Sequence, residues 1–176
     1  MPTNIQLRPA LMSDLEDIVA IYNFAIAEGN STCDVSPIPA EQWRDWLAAH
    51  IGSRRPVWVA EDTADGRIKA IGYLALSYFM NERPGYFRTS DMGVYIHPQY
   101  QGKGVGSLLL DFAINQASAL GIDTFATTAF AHNTGSIRLF KKFGFERWGY
   151  FPKVAKVRNQ DFDLIMLGIH LSSSAS

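Results

Sequence analysis

Cysteine is almost missing from this chain. Cys33 stands alone among 176 residues, so no internal disulfide can form and stability must come from a packed core. The four histidines, His50, His97, His132 and His170, are too dispersed for any familiar ligand spacing, and no metal is expected. There is no charge of one sign to speak of. The formal net charge is -1 and the basic residues are scattered, which excludes a nucleic-acid footprint and a membrane-surface helix. No uninterrupted apolar run approaches the ~20 residues that span a bilayer, and no charged-then-apolar leader opens the sequence, so a soluble, cytoplasmic protein is expected. Internal repeats, low-complexity segments and linkers are also lacking. What remains is 47% hydrophobic content, enough for one domain over residues 1–171 with a tail of disorder at 172–176.

The most informative stretch runs from Val94 to Leu110. It reads as a strand, a turn with glycines at Gly102, Gly104 and Gly106, and the start of an amphipathic helix. Glycines remove side chains where backbone N–H groups must approach a ligand, and the helix turns the positive end of its dipole toward the turn. An anionic, phosphorylated ligand is therefore expected. Two common phosphate-binding patterns fail on single residues. Ser107 and Leu109 stand where a P-loop or a dinucleotide turn would need other residues.

Around this stretch the apolar periodicity predicts a mixed α/β chain in the order β-α-α-β-β-β-α-β-α-β. Ile5 and Leu7 mark a first strand. A capping box at Ser13 to Glu16 starts a helix carrying Leu15, Ile18, Val19, Tyr22 and Ile26, which Gly29 ends. Pro39 opens a second helix whose Trp43, Trp46, Leu47 and Ile51 share one side, as core or as the wall of a pocket. Val57 to Ala60 and Ile68 to Phe79 form a hairpin through Asp65-Gly66, and Arg88 to Ile96 is the strand that feeds the glycine turn. A helix over 107–120 stops at Gly121. It is followed by a strand over Thr124 to Phe130, a helix capped by Asn133 and closed by Gly144, and a last apolar run from Asp163 to Leu171. The helix between the Arg88 and Thr124 strands makes them parallel neighbours.

Gln101-x-x-Gly104-x-Gly106, together with Asn133-x-x-Ser136-x-x-Leu139-Phe140-x-x-x-Gly144-Phe145 and this order of elements, resembles the GCN5-related N-acetyltransferase family along nearly the whole chain. Three further stretches are similar to its phosphinothricin and methionine sulfoximine acetyltransferase branch: Ile21 to Ile26, Val94 to Pro98, and Phe151 to Val154 with Asp161 to Asp163. The resemblance implies a sheet of about six to seven strands with about four helices, and acetyl-CoA as cosubstrate. It also implies an L-amino-acid-type acceptor acetylated on its α-amino group, and a homodimer. By the same resemblance, the backbone of Val94, Tyr95 and Ile96 holds the pantetheine arm, and Gln101, Gly102, Lys103, Gly104, Val105, Gly106 and Ser107 hold the pyrophosphate. Asn133 and Ser136 lie near the coenzyme, although their positions also suit plain helix capping.

An amine arrives as an ammonium and needs a base. Asp91 matches the position of the branch's glutamate, one methylene shorter, which favours deprotonation through a water. Phe140 stands where many relatives carry a Tyr or His as acid, and it cannot donate a proton. An α-carboxylate calls for an arginine fork, with Arg88 first and Arg83 second, although Arg88 and Asp91 fall on opposite strand faces unless a bulge intervenes. Phe79, Tyr86 and Phe87 are candidate acceptor walls. Lys153 and Lys156 match a basic region that in the branch reaches toward the acceptor. Competing readings are another amine acceptor (polyamine, aminoglycoside or protein N-terminus) and an acetyl-CoA-binding module without catalysis.

Overall fold

The computed structural model describes residues 4–63 and 69–171; the expected Asp65-Gly66 turn and the 172–176 tail lie outside them. The strands are β1 (Ile5–Pro9), β2 (Val57–Asp62), β3 (Lys69–Tyr78), β4 (Thr89–Ile96), β5 (Thr124–Phe130), β6 (Glu146–Val157) and β7 (Gln160–His170). The α-helices are α1 (Leu15–Glu28), α2 (Arg44–His50), α3 (Val105–Gln116) and α4 (Thr134–Lys142). Among the described residues the strands form one seven-stranded sheet in the order β1-β2-β3-β4-β5-β7-β6. Every pairing is antiparallel except β4 with β5, which the α3 crossover makes parallel.

Each sheet face has its own core. Leu15, Ile18, Val19 and Ile21 of α1 and Leu47 of α2 pack with Val57, Val59, Ala70 and Tyr73. On the other face Leu109, Leu110 and Ala113 of α3 and Phe140 of α4 pack with Trp58, Ile71, Leu74, Leu76, Met92 and Phe125. None of the helices in the described residues is long and apolar enough to cross a membrane.

Several expectations are corrected. Ser13 does not cap α1. A 3-10 turn over Met12–Asp14 precedes the helix, and the Asp14 carboxylate accepts the Leu11 N–H at 2.7 Å. α3 starts at Val105, earlier than expected, because Gly104 itself supplies the left-handed cap, and its end tightens into a 3-10 turn at Ser118–Leu120. β6 escaped the element order. It is an edge strand with Trp148, Tyr150, Phe151 and Val154 exposed, and only Ala155 and Val157 at its end are buried, too short an alternation to announce it.

β1 is tied down by Arg8, whose guanidinium takes both Asp14 oxygens (2.7 and 2.8 Å) and Glu61 Oε2 (2.6 Å). Burial works against ionisation of Asp14, but the Arg8 bonds and the Leu11 N–H outweigh it and hold its carboxyl below the usual range. Arg8→Met leaves two buried carboxylates unpaired. We expect it to cost about 3–5 kcal/mol at pH 7 in urea denaturation, with part of the loss recovered at pH 4, where the Asp14 carboxyl, no longer held down by Arg8, takes up a proton. An equal loss at both pH values would assign the effect to packing.

Candidate functional site

The site begins where the parallel pair parts. β4 and β5 are in register only from Thr89 to Asp91 against Thr124 to Ala126. Beyond that, β4 keeps β3 as far as Ile96↔Gly72 and β5 keeps β7 as far as Phe130↔Leu164, so each strand retains one ladder while a gap opens between them. Thr127 Oγ1 donates to the Met92 carbonyl at 2.7 Å in the crotch of this fork. The Met92 carbonyl thus faces β5. Strand alternation then turns the backbone of Val94 and Ile96 into the gap and that of Tyr95 and His97 toward β3, where the His97 N–H meets the Ile71 carbonyl at 2.9 Å. The expected Val94-Tyr95-Ile96 group therefore divides. Tyr95 contributes its ring, and the other two contribute main-chain groups.

A cavity of about 540 Å³ lies at the glycine turn, lined by Val94, Tyr95, Ile96, Gln101, Gly102, Gly104, Val105, Gly106, Ser107, Asn133 and Ser136 among others. Gly104 sits at φ 89° as the N-cap of α3 and offers no side-chain acceptor. The N–H groups of the first turn are therefore free for a ligand, and the dipole favours an anion there. Gln101 folds back to the Ile96 carbonyl at 3.2 Å. Lys103 is not in the lining; it is exposed, with its ammonium 5.4 Å from the Tyr100 ring centroid. The cations in the lining are Arg138 and Lys142, which sequence reasoning did not single out. Their four-residue spacing on α4, giving one helix face, was the available signal. Lys142 Nζ donates to Ser107 Oγ at 3.3 Å.

A second cavity, about 310 Å³, adjoins the first; Ser31, Val94, Tyr95, Asn133 and Ser136 line both. Asp91, Gly93 and Tyr95 share one face of β4. The register sets Ala75 opposite Gly93 and Ser77 opposite Asp91, so small residues leave a hollow over the sheet. Trp46 and His50 of α2 and Thr32 and Cys33 of the loop after α1 wall it. Both His50 ring nitrogens are engaged by carbonyls, of Trp46 at 2.7 Å and Leu76 at 3.1 Å. Burial pushes the Asp91 carboxyl up to about 6, opposed by one hydrogen bond from the Met92 N–H at 2.6 Å. An anion-holding turn thus opens into a small hollow with a weakly acidic carboxyl. That arrangement suits proton removal from an amine beside a phosphate-bearing acyl donor.

Residues 17–145 match the sequence profile of the Acetyltransferase (GNAT) family. The chain belongs to this family. The Bacillus subtilis protein YwnH, named for phosphinothricin acetyltransferase activity, is 41% identical over 94% of this chain and 99% of its own. A Pseudomonas paraeruginosa L-methionine sulfoximine/L-methionine sulfone acetyltransferase is 29% identical over 97% of this chain and 96% of its own. Among solved structures, a GNAT superfamily phosphinothricin acetyltransferase from Sinorhizobium meliloti in complex with acetyl-CoA superposes with a TM-score of 0.88. It is 25% identical and covers 99% of this chain and 93% of that one.

Within this GNAT chain the expected residues separate into two sets. Asp91, Asn133, Ser136 and the turn come together around the two cavities. Asn133 does cap α4, its Oδ1 accepting the Ser136 N–H at 3.1 Å. Phe140 lines the smaller hollow, buried and without a hydroxyl. Arg88, Arg83, Phe79, Tyr86 and Lys153 line neither cavity. Arg88 precedes β4 and is ion-paired with Asp123, which neutralises it away from the hollow. Arg83 is exposed, and Phe79 and Tyr86 meet each other edge-on at 5.7 Å. Lys153 sits exposed in a left-handed bulge at φ 51°, its N–H bonded to Asp163 Oδ1 at 2.8 Å.

The Asp91 environment makes a stability prediction independent of activity. Its folded-state value near 6 lies above the ordinary 3.8, so the folded protein binds this proton more tightly than the unfolded chain. The stabilisation from the protonated form is complete below about 4 and is lost as pH rises through 6. Asp91→Asn, free of this penalty, should be more stable than wild type at pH 8 by up to roughly 3 kcal/mol and about equal at pH 4. Denaturant titrations at the two pH values decide it; a variant less stable at pH 8 would contradict a desolvated carboxylate.

Proposed function

We propose that this protein transfers the acetyl group of acetyl-CoA to the α-amino group of a small L-amino-acid-like acceptor of the phosphinothricin or methionine sulfoximine type. The observation that carries the reading is Asp91, a half-buried carboxyl whose desolvation pushes it up to about 6, lining the hollow that joins the glycine-turn cavity. The names of the relatives support the acceptor class. Pyrophosphate binds at the N–H groups of Gly102 and of Gly104 to Ser107 with Arg138 and Lys142 alongside, and the pantetheine arm runs along Val94 and Ile96.

Asp91 accepts one proton from the acceptor ammonium through a bridging water, and the freed lone pair attacks the thioester carbonyl carbon. The Val94 N–H donates to the oxygen that gains negative charge, an effect of about 2.7–4 kcal/mol per donor in comparable sites. As the carbon–sulfur bond breaks, the nitrogen loses its second proton and the thiolate becomes CoA thiol. Phe140 gives no proton. A thiol of ordinary pKa about 8.5 leaves adequately as a thiolate.

A second reading is favoured by one observation. Among the described residues the acceptor hollow contains no Lys or Arg, which suits an amine without a carboxylate, such as a polyamine. In the amino-acid reading the carboxylate is met by main-chain N–H groups or by Lys153 and Lys156 of a second copy, the protein acting as a homodimer in the cytoplasm.

CoA-thiol release across methionine sulfoximine, phosphinothricin, ordinary amino acids and polyamines tests both readings. Turnover of the amino acids is expected. Turnover of polyamines alone would transfer the assignment, and acetyl-CoA binding without turnover on any acceptor would end it. Asp91→Asn should lower kcat by about 100-fold or more with the acetyl-CoA KM little changed. In wild type kcat/KM should fall tenfold per unit below pH about 6, where Asp91 takes up its proton, and the variant should lack that inflection.

A further inference from the structure

The segment that follows α1 has an unusual attachment. From 30 to 38, no backbone–backbone hydrogen bond joins it to anything else among the described residues. Side chains hold it instead. Asn133 Nδ2 donates to the Asn30 carbonyl at 3.1 Å, and the Tyr22 hydroxyl bonds Thr32 Oγ1 and Asp34 Oδ2 at 2.6 and 2.5 Å. Asn23 closes the far end on Ile38 with bonds of 2.8 and 2.9 Å. Ser31, within this segment, lines both cavities, and Thr32 and Cys33 wall the acceptor hollow. The segment therefore lies at the junction of the two cavities.

Its root is held from far away in the chain. Arg158, at the tip of the β6–β7 hairpin, donates to the carbonyls of Ile26 at 3.1 Å and Ala27 at 2.7 Å. Those are acceptors in the last turn of α1, which its own helix leaves unsatisfied. Arg158 and Asn159 form the two-residue turn with φ of 50° and 64°. Such a turn favours Asn and Gly, and a long side chain at the first position is locally disfavoured. The guanidinium bonds are the compensating interaction this residue type makes there.

We propose that Arg158 and Asn133 clamp the Asn30–Asp34 segment as a strap over the junction of the two cavities, so that these positioning residues set how readily CoA enters and leaves. Arg158 lines neither cavity, so it acts only through the segment it holds. The inference rests on the acetyl-CoA reading above. Releasing a strap opens the path in both directions, whereas losing a direct contact speeds only departure.

The test measures association and dissociation of a fluorophore-bearing CoA by stopped flow, with urea stability recorded in parallel. In Arg158→Met both rates should rise about fivefold while Kd shifts less than twofold, and Arg158→Lys, which keeps a donor for the same carbonyls, should return toward wild type. Asn133→Asp retains an oxygen to cap the Ser136 N–H but loses the donor to Asn30, so here too both association and dissociation should speed up. If Arg158→Met does not fold, the Asn133→Asp rates carry the test. Unchanged rates in whichever of Arg158→Met and Asn133→Asp folds, or a rise confined to dissociation in it, would overturn the proposal. Failure of the wild type to bind CoA would instead remove the coenzyme reading.

Discussion

The parallel pairing of β4 with β5 ends after Asp91↔Ala126, and the rest of the site depends on that early ending. A sheet that stayed closed would satisfy Val94 and Ile96 internally and leave no main-chain groups for a ligand. Opening it costs little, because β3 and β7 continue to pair with the outer sides of the two strands. Thr127 meets the Met92 carbonyl in the crotch, where a strand partner would otherwise be needed. The fork also directs the chain. β4 delivers the glycine turn to the open end, so the dipole of α3 and the exposed backbone of β4 converge on one ligand path.

Electrostatics divides the two ends of this path. The glycine-turn cavity gathers helix N–H groups with Arg138 and Lys142. The adjoining hollow holds Asp91 beside Ala75, Ser77 and Gly93, whose small size leaves its burial opposed by one hydrogen bond, from the Met92 N–H. A carboxyl raised in this way is a better base than an ordinary aspartate, because its conjugate acid forms near the working pH. Stability is the corresponding cost. The same burial that tunes the group makes its ionised form unfavourable in the fold.

Much of this was legible in the sequence, for identifiable reasons. Gly29, Gly104 and Asn133 could be read because backbone conformation and capping restrict residue choice strongly at single positions. The strands β4 and β5 could be read because buried strands carry dense β-branched and aromatic content. β6 could not, since an exposed edge leaves its apolar residues on no consistent face. Arg88 was misread for a different reason. Its type suits a carboxylate, but its position before β4 commits it to Asp123, and that partner is distant in sequence. Arg138 and Lys142 were overlooked although their helical spacing was visible, because nothing local shows that α4 borders the cavity of the glycine turn.

The glycine turn was therefore easier to read than the hollow beside it, and the cause is physical. A phosphate and a pantetheine arm are met largely by main-chain groups, which glycine placement and one helix start suffice to aim. The adjoining hollow is assembled from side chains of α2, the loop after α1, β3, β4, β5, α4 and β7, seven pieces whose convergence no local pattern encodes. The attachment of Arg158 to the end of α1 belongs to the same class, joining residues more than a hundred positions apart. Local sequence specifies where an anion is held. What sits beside it is specified only by how the sheet brings distant segments together.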